Sequence, residues 1–244
     1  MHRSPFPALL CLIAFTASAS ELTRLDLFDD ARQRAIPVLV FTPAPEACAL
    51  SCPVVIFGTG YKAAPIEYSF LLEGLADAGF VSVGIQHDIA SDAPMPNTGN
   101  ILQDRGAYWQ RGVETTEFVI RDLASRLPRY DWSSLVLAGH SQGGDIAAMF
   151  AARTARSIRA LITLDNRRVA LPDTSAFPVL TLRSSDQPAD PGVLPDAGWQ
   201  NTASICVIRL PDTIHDDMNN RASAHSRQTM LQAALSFLLR HGCA

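Results

Sequence analysis

The chain has 244 residues, a formal net charge of −4 at pH 7 and a hydrophobic content of 48%. This length suits one α/β domain with a sizeable core. Because the balance of charge is acidic and no basic cluster stands out, nucleic acid is not an expected partner.

The first 19 residues have the pattern of a secretory signal peptide. A short basic start at Met1–Arg3 precedes an apolar run, Ala8–Phe15, that is too short to cross a membrane. An A-x-A site at Ala17–Ala19 predicts cleavage after Ala19, which would leave residues 20–244 as a single domain. We therefore expect a periplasmic or secreted protein with no stable membrane anchor after cleavage.

Four cysteines remain beyond the predicted cleavage site: Cys48, Cys52, Cys206 and Cys243. An even number of cysteines in an exported protein favours disulfides over free thiols. Cys48 and Cys52 flank a short polar turn and are the easiest pair, so Cys206 would then pair with Cys243. No His–Cys cluster completes a tetrahedral metal site.

The rest of the chain alternates short apolar segments with amphipathic ones. Two apolar runs joined by a polar turn, Glu21–Phe28 and Ile36–Phe41, predict an opening β-hairpin. Buried strands are predicted at Pro53–Phe57, Phe80–Gln86, Leu135–Ala138, Arg159–Leu164, Phe177–Leu182 and Ser204–Leu210. Helices are predicted at Pro65–Ala78, Gly106–Leu127, Asp145–Ala155 and Ala222–Arg240. This rhythm predicts an α/β fold in which a mostly parallel central sheet has helices on both faces.

Two further features bear on function. The longest irregular stretch, Ile89–Asp104, follows a predicted strand, and loops of this size are usually functional or mobile. No inserted segment is large enough to form a cap domain. The glycines do not form a G-x-G-x-x-G motif, so no dinucleotide site is expected. His87-Asp88, at a predicted strand end, could line the site, although a structural His–Asp pair is the preferred interpretation.

A G-x-S-x-G motif lies at Gly139-His-Ser-Gln-Gly143, between a predicted strand and a predicted helix. That context is typical of a nucleophile elbow, a sharp turn that lifts a serine hydroxyl clear of the sheet. The residues two before and two after the serine must be small, because the turn leaves no room for side chains. A motif alone can arise by chance, but its setting here predicts that Ser141 is a catalytic nucleophile.

A serine hydroxyl is a poor nucleophile until a base takes its proton. Three histidines follow Ser141 in the chain. His215 lies between the last predicted strand and the last predicted helix, whereas His225 falls inside that helix and His241 comes after it. We therefore predict His215 as the base; the alternative is a surface histidine at a helix end.

The acid that orients the histidine has more than one candidate. Asp186 follows the strand Phe177–Leu182, and Asp165 follows the preceding strand. Neighbouring strand ends lie only about 4.8 Å apart, so either carboxylate could reach His215. Asp186 is our first choice and Asp165 the alternative, with Asp190 as a third candidate.

A tetrahedral intermediate also needs two aimed backbone donors. One is the amide of Gln142, directly after the nucleophile. The second should come from the loop after the strand Pro53–Phe57, and the Tyr61 amide is our choice. Gly60 beside it would let the backbone approach a ligand closely, although an ordinary tight turn is the alternative.

Taken together, these residues resemble the α/β-hydrolase superfamily over nearly all of the mature chain. Four segments are most similar to platelet-activating-factor acetylhydrolases and to bacterial lipases and polyester hydrolases: Val54–Tyr61, Tyr68–Phe80, Ile85–Asp88 and Gly139–Gly144. The resemblance implies ester hydrolysis through an acyl-enzyme. Acetylhydrolase-like members take their acid at the position of Asp165, and the lipases take theirs at the position of Asp186.

The sequence therefore predicts a serine carboxylic-ester hydrolase that acts on a small-molecule ester and needs no metal or organic cofactor. An amide or peptide hydrolase with the same triad is one alternative. A non-catalytic binding module on the same fold is another, although such proteins usually lose the serine or the histidine. The oligomeric state, the acyl group and the alcohol stay open.

Overall fold

The structure, a computed structural model, describes residues 19–48, 51–172, 176–196 and 205–240. Its centre is an eight-stranded sheet in the order β1-β2-β4-β3-β5-β6-β7-β8. The strands are β1 (Glu21–Asp29), β2 (Arg34–Thr42), β3 (Pro53–Gly58), β4 (Val81–Ile85), β5 (Asp131–His140), β6 (Ser157–Leu164), β7 (Val179–Arg183) and β8 (Ile205–Arg209). The helices are α1 (Ser69–Asp77), α2 (Ile101–Arg126), α3 (Gln142–Arg153) and α4 (Ala224–Arg240).

The opening hairpin is antiparallel, and β2 joins the sheet by antiparallel pairing with β4. Every other neighbouring pair is parallel, from β4 through β3, β5, β6 and β7 to β8. The carboxyl ends of these parallel strands therefore meet at one edge of the sheet, where ligands bind in open α/β folds. The predicted fold class is confirmed.

Side chains of the central strands alternate between two apolar cores, one on each face of the sheet. Val54 and Ile56 of β3 face the core that α2 and α3 cover. Val55 and Phe57 face the core that α1 and α4 cover. This period of two is why nearly continuous apolar runs form buried parallel strands.

Several element boundaries differ from the prediction by a few residues, and two of these differences bear on the site. Helix α2 begins at Ile101, five residues before the predicted start, because Asn100 caps it by accepting a 3.1 Å hydrogen bond from the Gln103 amide. The predicted helix over Pro65–Ala78 is divided into a 3₁₀ turn, Pro65–Tyr68, and α1. That turn places Tyr68 in the buried interior.

The disulfide predicted between Cys48 and Cys52 is present, with the two Cα atoms 5.7 Å apart. Cys243 lies outside the described residues, so its pairing with Cys206 stays a prediction. The signal peptide predicted over residues 1–19 also falls outside them, apart from residue 19. Across the described ranges, no helix combines the length and the apolar character needed to cross a bilayer.

Candidate active site

The G-x-S-x-G motif forms the tight strand-to-helix turn that the sequence predicts. Ser141 lies between the end of β5 and the start of α3, with φ 51° and ψ −119°. Few side-chain-bearing residues adopt a positive φ, and such strain is typical of functional turns. A Cβ on Gly143 would lie 2.1 Å from the Gly58 carbonyl oxygen, so only glycine lets these two backbones meet.

Ser141, His215 and Asp165 form one continuous chain of hydrogen bonds. The Ser141 Oγ and the His215 Nε2 are 2.9 Å apart, and the His215 Nδ1 is 2.6 Å from the Asp165 Oδ2. An ionised carboxylate only accepts hydrogen bonds, so the His215 Nδ1 must carry the proton. The His215 Nε2 is then free to accept the proton of the serine hydroxyl, which is the arrangement of a nucleophile and its base.

The structure places Asp165, the alternative acid, on the imidazole in place of Asp186, our first choice. Asp165 directly follows β6, which lies between β5 and β7 in the sheet, and its φ of 53° turns its side chain at the strand end. The carboxylate of Asp186 accepts instead from the backbone amide of His215, at 2.7 Å. Asp190 forms an ion pair with Arg168 at 2.7 Å.

The Asp165 carboxylate is fully buried and surrounded by donors. Besides His215, it accepts hydrogen bonds from the Ser184 hydroxyl at 2.7 Å and the Ser184 amide at 3.1 Å. The guanidinium of Arg183 lies 2.9 Å from the Asp165 Oδ1, the oxygen that does not face His215. Burial alone would raise the pKa of Asp165, but the His215 hydrogen bond and the Arg183 charge hold that pKa below its usual value. Asp165 is therefore ionised at neutral pH.

The two predicted oxyanion donors come from segments that meet at Ser141. Gln142 is the first residue of α3, so its amide is among the free donors of a helix N-terminus. Tyr61 lies in the loop after β3 and lines the same cleft as Ser141 and His215, a space of about 340 Å³. The Tyr61 hydroxyl accepts a 3.0 Å hydrogen bond from the Met95 amide, which ties this loop to the long loop before α2.

One buried carboxylate, Asp88, joins these two segments, although the sequence favoured a purely structural role for it. The Asp88 Oδ2 accepts from the Gln142 side-chain amide at 2.8 Å and from the Lys62 backbone amide at 3.4 Å. Its Oδ1 accepts from the Arg111 guanidinium at 2.7 Å. Asp88 thus bonds to these groups, and not to His87 as the sequence suggested. His87 is buried, and burial lowers its pKa to about 3, so its ring is neutral.

Tyr68, which the sequence did not single out, forms a second link between the elbow and the loop after β3. This loop carries the predicted oxyanion donor Tyr61 and is called the oxyanion loop. The Tyr68 hydroxyl accepts from the Gly60 amide at 3.2 Å and lies 2.8 Å from the His140 Nδ1. The His140 ring packs against the His215 ring, with centroids 4.8 Å apart. Burial lowers the pKa of His140 to about 3, so His215 is next to a neutral ring.

Comparison with solved structures shows the fold of known hydrolases. The ferulic acid esterase of Streptomyces cinnamoneus has a TM-score of 0.63 and 17% identity, covering 94% of this chain and 91% of that one. The dienelactone hydrolase of Anabaena variabilis has a TM-score of 0.58 and 14% identity, covering 91% and 99%. A thermostable esterase from Pseudomonas putida has a TM-score of 0.58 and 15% identity, covering 93% and 85%.

At the level of sequence, a family model described as Chlorophyllase matches residues 14–185, a range that includes Ser141 and Asp165. A direct search of curated proteins found no match. The superfamily predicted from the motifs is confirmed, while the chlorophyllase family is not among those that the motifs were said to resemble. The chain therefore belongs to the chlorophyllase family and is a serine hydrolase of the α/β-hydrolase superfamily.

Proposed function

We propose that the protein hydrolyses carboxylic esters through a triad of Ser141, His215 and Asp165 and a covalent acyl-enzyme. The observation that carries the proposal is the unbroken chain of hydrogen bonds from the Asp165 carboxylate through His215 to the Ser141 hydroxyl. The Ser141 hydroxyl lies at a strained elbow and is open to a cleft, so a substrate carbonyl could reach it.

In the first half of the reaction, the Ser141 Oγ attacks the ester carbonyl carbon while the His215 Nε2 takes the hydroxyl proton. The carbonyl oxygen becomes an oxyanion, which the amides of Gln142 and Tyr61 stabilise. The intermediate then collapses, the bond to the alcohol oxygen breaks, and His215 returns the proton to the departing alcohol. Asp165 keeps its negative charge throughout and stabilises the imidazolium.

In the second half, water takes the place of the alcohol. His215 removes a proton from water as its oxygen attacks the acyl carbon, and a second oxyanion forms in the same place. Collapse of that intermediate breaks the bond to the Ser141 Oγ, which regains the proton from His215. The products are one carboxylic acid and one alcohol, and the enzyme returns to its initial state.

The test is hydrolysis of a p-nitrophenyl ester series, from acetate to palmitate, with the matched anilides. We expect release of p-nitrophenol, little or no cleavage of the anilides, and loss of the activity in Ser141→Ala. Cleavage of the anilides at similar rates would favour an amide hydrolase. A folded protein without activity on any substrate would favour a binding module.

We further propose export to the periplasm or the cell exterior. The Cys48–Cys52 disulfide supports this location, since disulfides persist in oxidising compartments and are rare in the cytosol. Expression with and without residues 1–19, followed by cell fractionation, tests the proposal. Retention of the full-length protein in the cytosol would contradict it.

Asp88 gives a prediction about the oxyanion donors. Asp88→Ala removes the acceptor that holds both the Gln142 side chain and the Lys62 amide, so the oxyanion loop and the elbow lose a shared anchor. We expect kcat to fall about ten- to a hundredfold, less than the loss of a donor itself, with KM changed little. Steady-state kinetics on the best p-nitrophenyl ester measures this effect.

Asp92→Asn is the matched control for Asp88→Ala. Asp92 pairs with Arg34 at 2.6 Å and with Arg111 at 3.2 Å, in the same ion network. Its described bonds do not include the oxyanion loop or the elbow, so we expect a nearly wild-type kcat. Equal losses in the two variants would show that the network supports folding and does not position the donors.

A further inference from the structure

Arg183 has an unusual place for an arginine. It is the last residue of β7, only 2% of its surface is exposed, and it lies directly behind the proposed triad acid. The parallel register pairs Leu164 with Leu182, so the next residues, Asp165 and Arg183, leave neighbouring strand ends side by side. Because Arg183 ends a buried strand, its positive charge lies in the interior of the protein.

The Arg183 guanidinium holds the turn at Asp165 from two sides. One nitrogen forms an ion pair with the Asp165 Oδ1 at 2.9 Å, and the other donates to the Asn166 carbonyl at 2.7 Å. The first contact holds the carboxylate by charge, without the geometry of a hydrogen bond, and the second fixes the backbone just after the positive-φ residue. A planar guanidinium suits this task because its donors diverge in one rigid plane.

We propose that Arg183 is a positioning residue for the reaction: it orients the Asp165 carboxylate toward His215 and sets how strongly that carboxylate favours the protonated imidazole. This inference rests on the proposed function. Asp165 faces His215 with one oxygen and Arg183 with the other. A cation there keeps Asp165 ionised and offsets part of its negative field at His215.

Stability alone does not explain the pair. Desolvating two charges costs about as much as their attraction returns, so a buried ion pair contributes little net stability compared with apolar residues of similar size. The contacts of Arg183 are instead concentrated on the turn that carries Asp165. Its guanidinium also lies 3.3 Å from both the Asn166 side chain and the Thr181 hydroxyl, which restrict its orientation.

A substitution of Arg183 leaves the other charged and titratable residues near this pair unchanged. They are His140 and Asp186 beside His215, Arg221 at the cleft, and Asp145, Arg167 and Arg209 around Arg183. Each is unchanged in an Arg183 variant, so a change in the pH profile reports the loss of the guanidinium.

Removing the charge gives a signed prediction. In Arg183→Met, the Asp165 carboxylate takes up a proton more readily, and the imidazolium of His215 is opposed by one positive charge fewer. Both effects favour protonated, inactive forms. We expect the acidic limb of the kcat/KM profile to move to higher pH by on the order of one unit. Arg183→Lys keeps a positive charge but loses the planar guanidinium. We expect the acidic limb of its kcat/KM profile to stay near the wild-type position while kcat falls.

The experiment combines the pH profile of ester hydrolysis with an NMR titration of ¹⁵N-histidine-labelled protein. The NMR arm follows the His215 ring directly and needs no turnover, so failure of the proposed function would leave this inference testable. We expect His215 to titrate at higher pH in Arg183→Met than in the wild type. Arg209→Gln, which removes a nearby charge without contact to Asp165, should leave the titration unchanged.

A wild-type titration and acidic limb in folded Arg183→Met would overturn the inference. If Arg183→Met does not fold, Arg183→Lys decides the question. A limb in the wild-type position with a lower kcat supports a positioning role. A wild-type kcat, with only a lower melting temperature, would show that Arg183 serves folding and not the triad.

Discussion

Asp165→Asn is expected to lower kcat for ester hydrolysis by about three to four orders of magnitude while the protein stays folded. An asparagine retains the shape of the side chain but loses its charge and one acceptor. It can present its NH₂ group to His215, which would then hold its proton on the nitrogen that faces Ser141. The imidazole would no longer accept the serine proton, and nothing would offset the charge of an imidazolium.

Asp186→Asn is the matched control, because Asp186 also bonds to His215 but to its backbone amide and not to its ring. Its oxygen accepts from the His215 backbone amide at 2.7 Å, and an asparagine oxygen can do the same. We expect a loss of less than about tenfold, in line with the modest contribution of one neutral hydrogen bond. Circular dichroism and steady-state kinetics of both variants decide the assignment. A large loss in Asp186→Asn with a small one in Asp165→Asn would reverse it.

The second large effect is on folding. In Gly143→Ala the new Cβ would lie 2.1 Å from the Gly58 carbonyl oxygen and 2.6 Å from the Thr59 carbonyl oxygen. Both contacts are with backbone, so the elbow and the oxyanion loop would have to separate. We expect the free energy of unfolding to fall by about 3 kcal/mol or more, and activity to be lost with it. Urea unfolding under non-reducing conditions, which preserve the disulfide, measures the change.

Gly106→Ala is the control for Gly143→Ala. Gly106 lies within α2. Apart from its chain neighbours and the nearby backbone of its own helix, no described atom comes within 4 Å of a Cβ placed there. Alanine is the better helix former, so this variant should gain about 0.5–1 kcal/mol of stability. A Gly143→Ala protein with the wild-type free energy of unfolding would show that the two backbones are not in the close contact described above.

The fold and the elbow were predictable because their signals are local. Buried parallel strands need nearly continuous apolar runs, and β3 and β4 show them in sequence. The elbow needs small residues two positions on either side of Ser141, and these positions are glycines. His215 was placed by its position in the chain, since it lies between the last strand and the final helix, whereas His225 lies inside that helix and His241 follows it.

The choice between Asp165 and Asp186 was not predictable, because it depends on geometry at a strand end. Both residues follow parallel strands, and both bond to His215, one to its ring and one to its backbone. What separates them is the positive φ of Asp165 at the very end of β6, a feature of tertiary structure. The sequence pattern cannot report the direction of a side chain in a loop.

The contacts made by the residues behind the site were not predicted either, because the partners lie far apart in the chain. Asp88 meets Gln142 across 54 residues of chain, and Tyr68 meets His140 across 72. Arg183 did leave a signal, since an arginine that ends an apolar strand must find a partner in the interior or reach solvent. Asn100 left one as well, because an asparagine three residues before a glutamine is a common helix start.

The most direct test of the central claim is trapping of the acyl-enzyme on Ser141. The wild-type protein is mixed with a p-nitrophenyl ester, quenched in acid within the first turnovers and examined by intact-protein and peptide mass spectrometry. We predict an increase equal to the acyl group, located on the peptide that holds Ser141 and absent in Ser141→Ala. Turnover of the ester with no adduct on Ser141, or an equal adduct in Ser141→Ala, would contradict the mechanism.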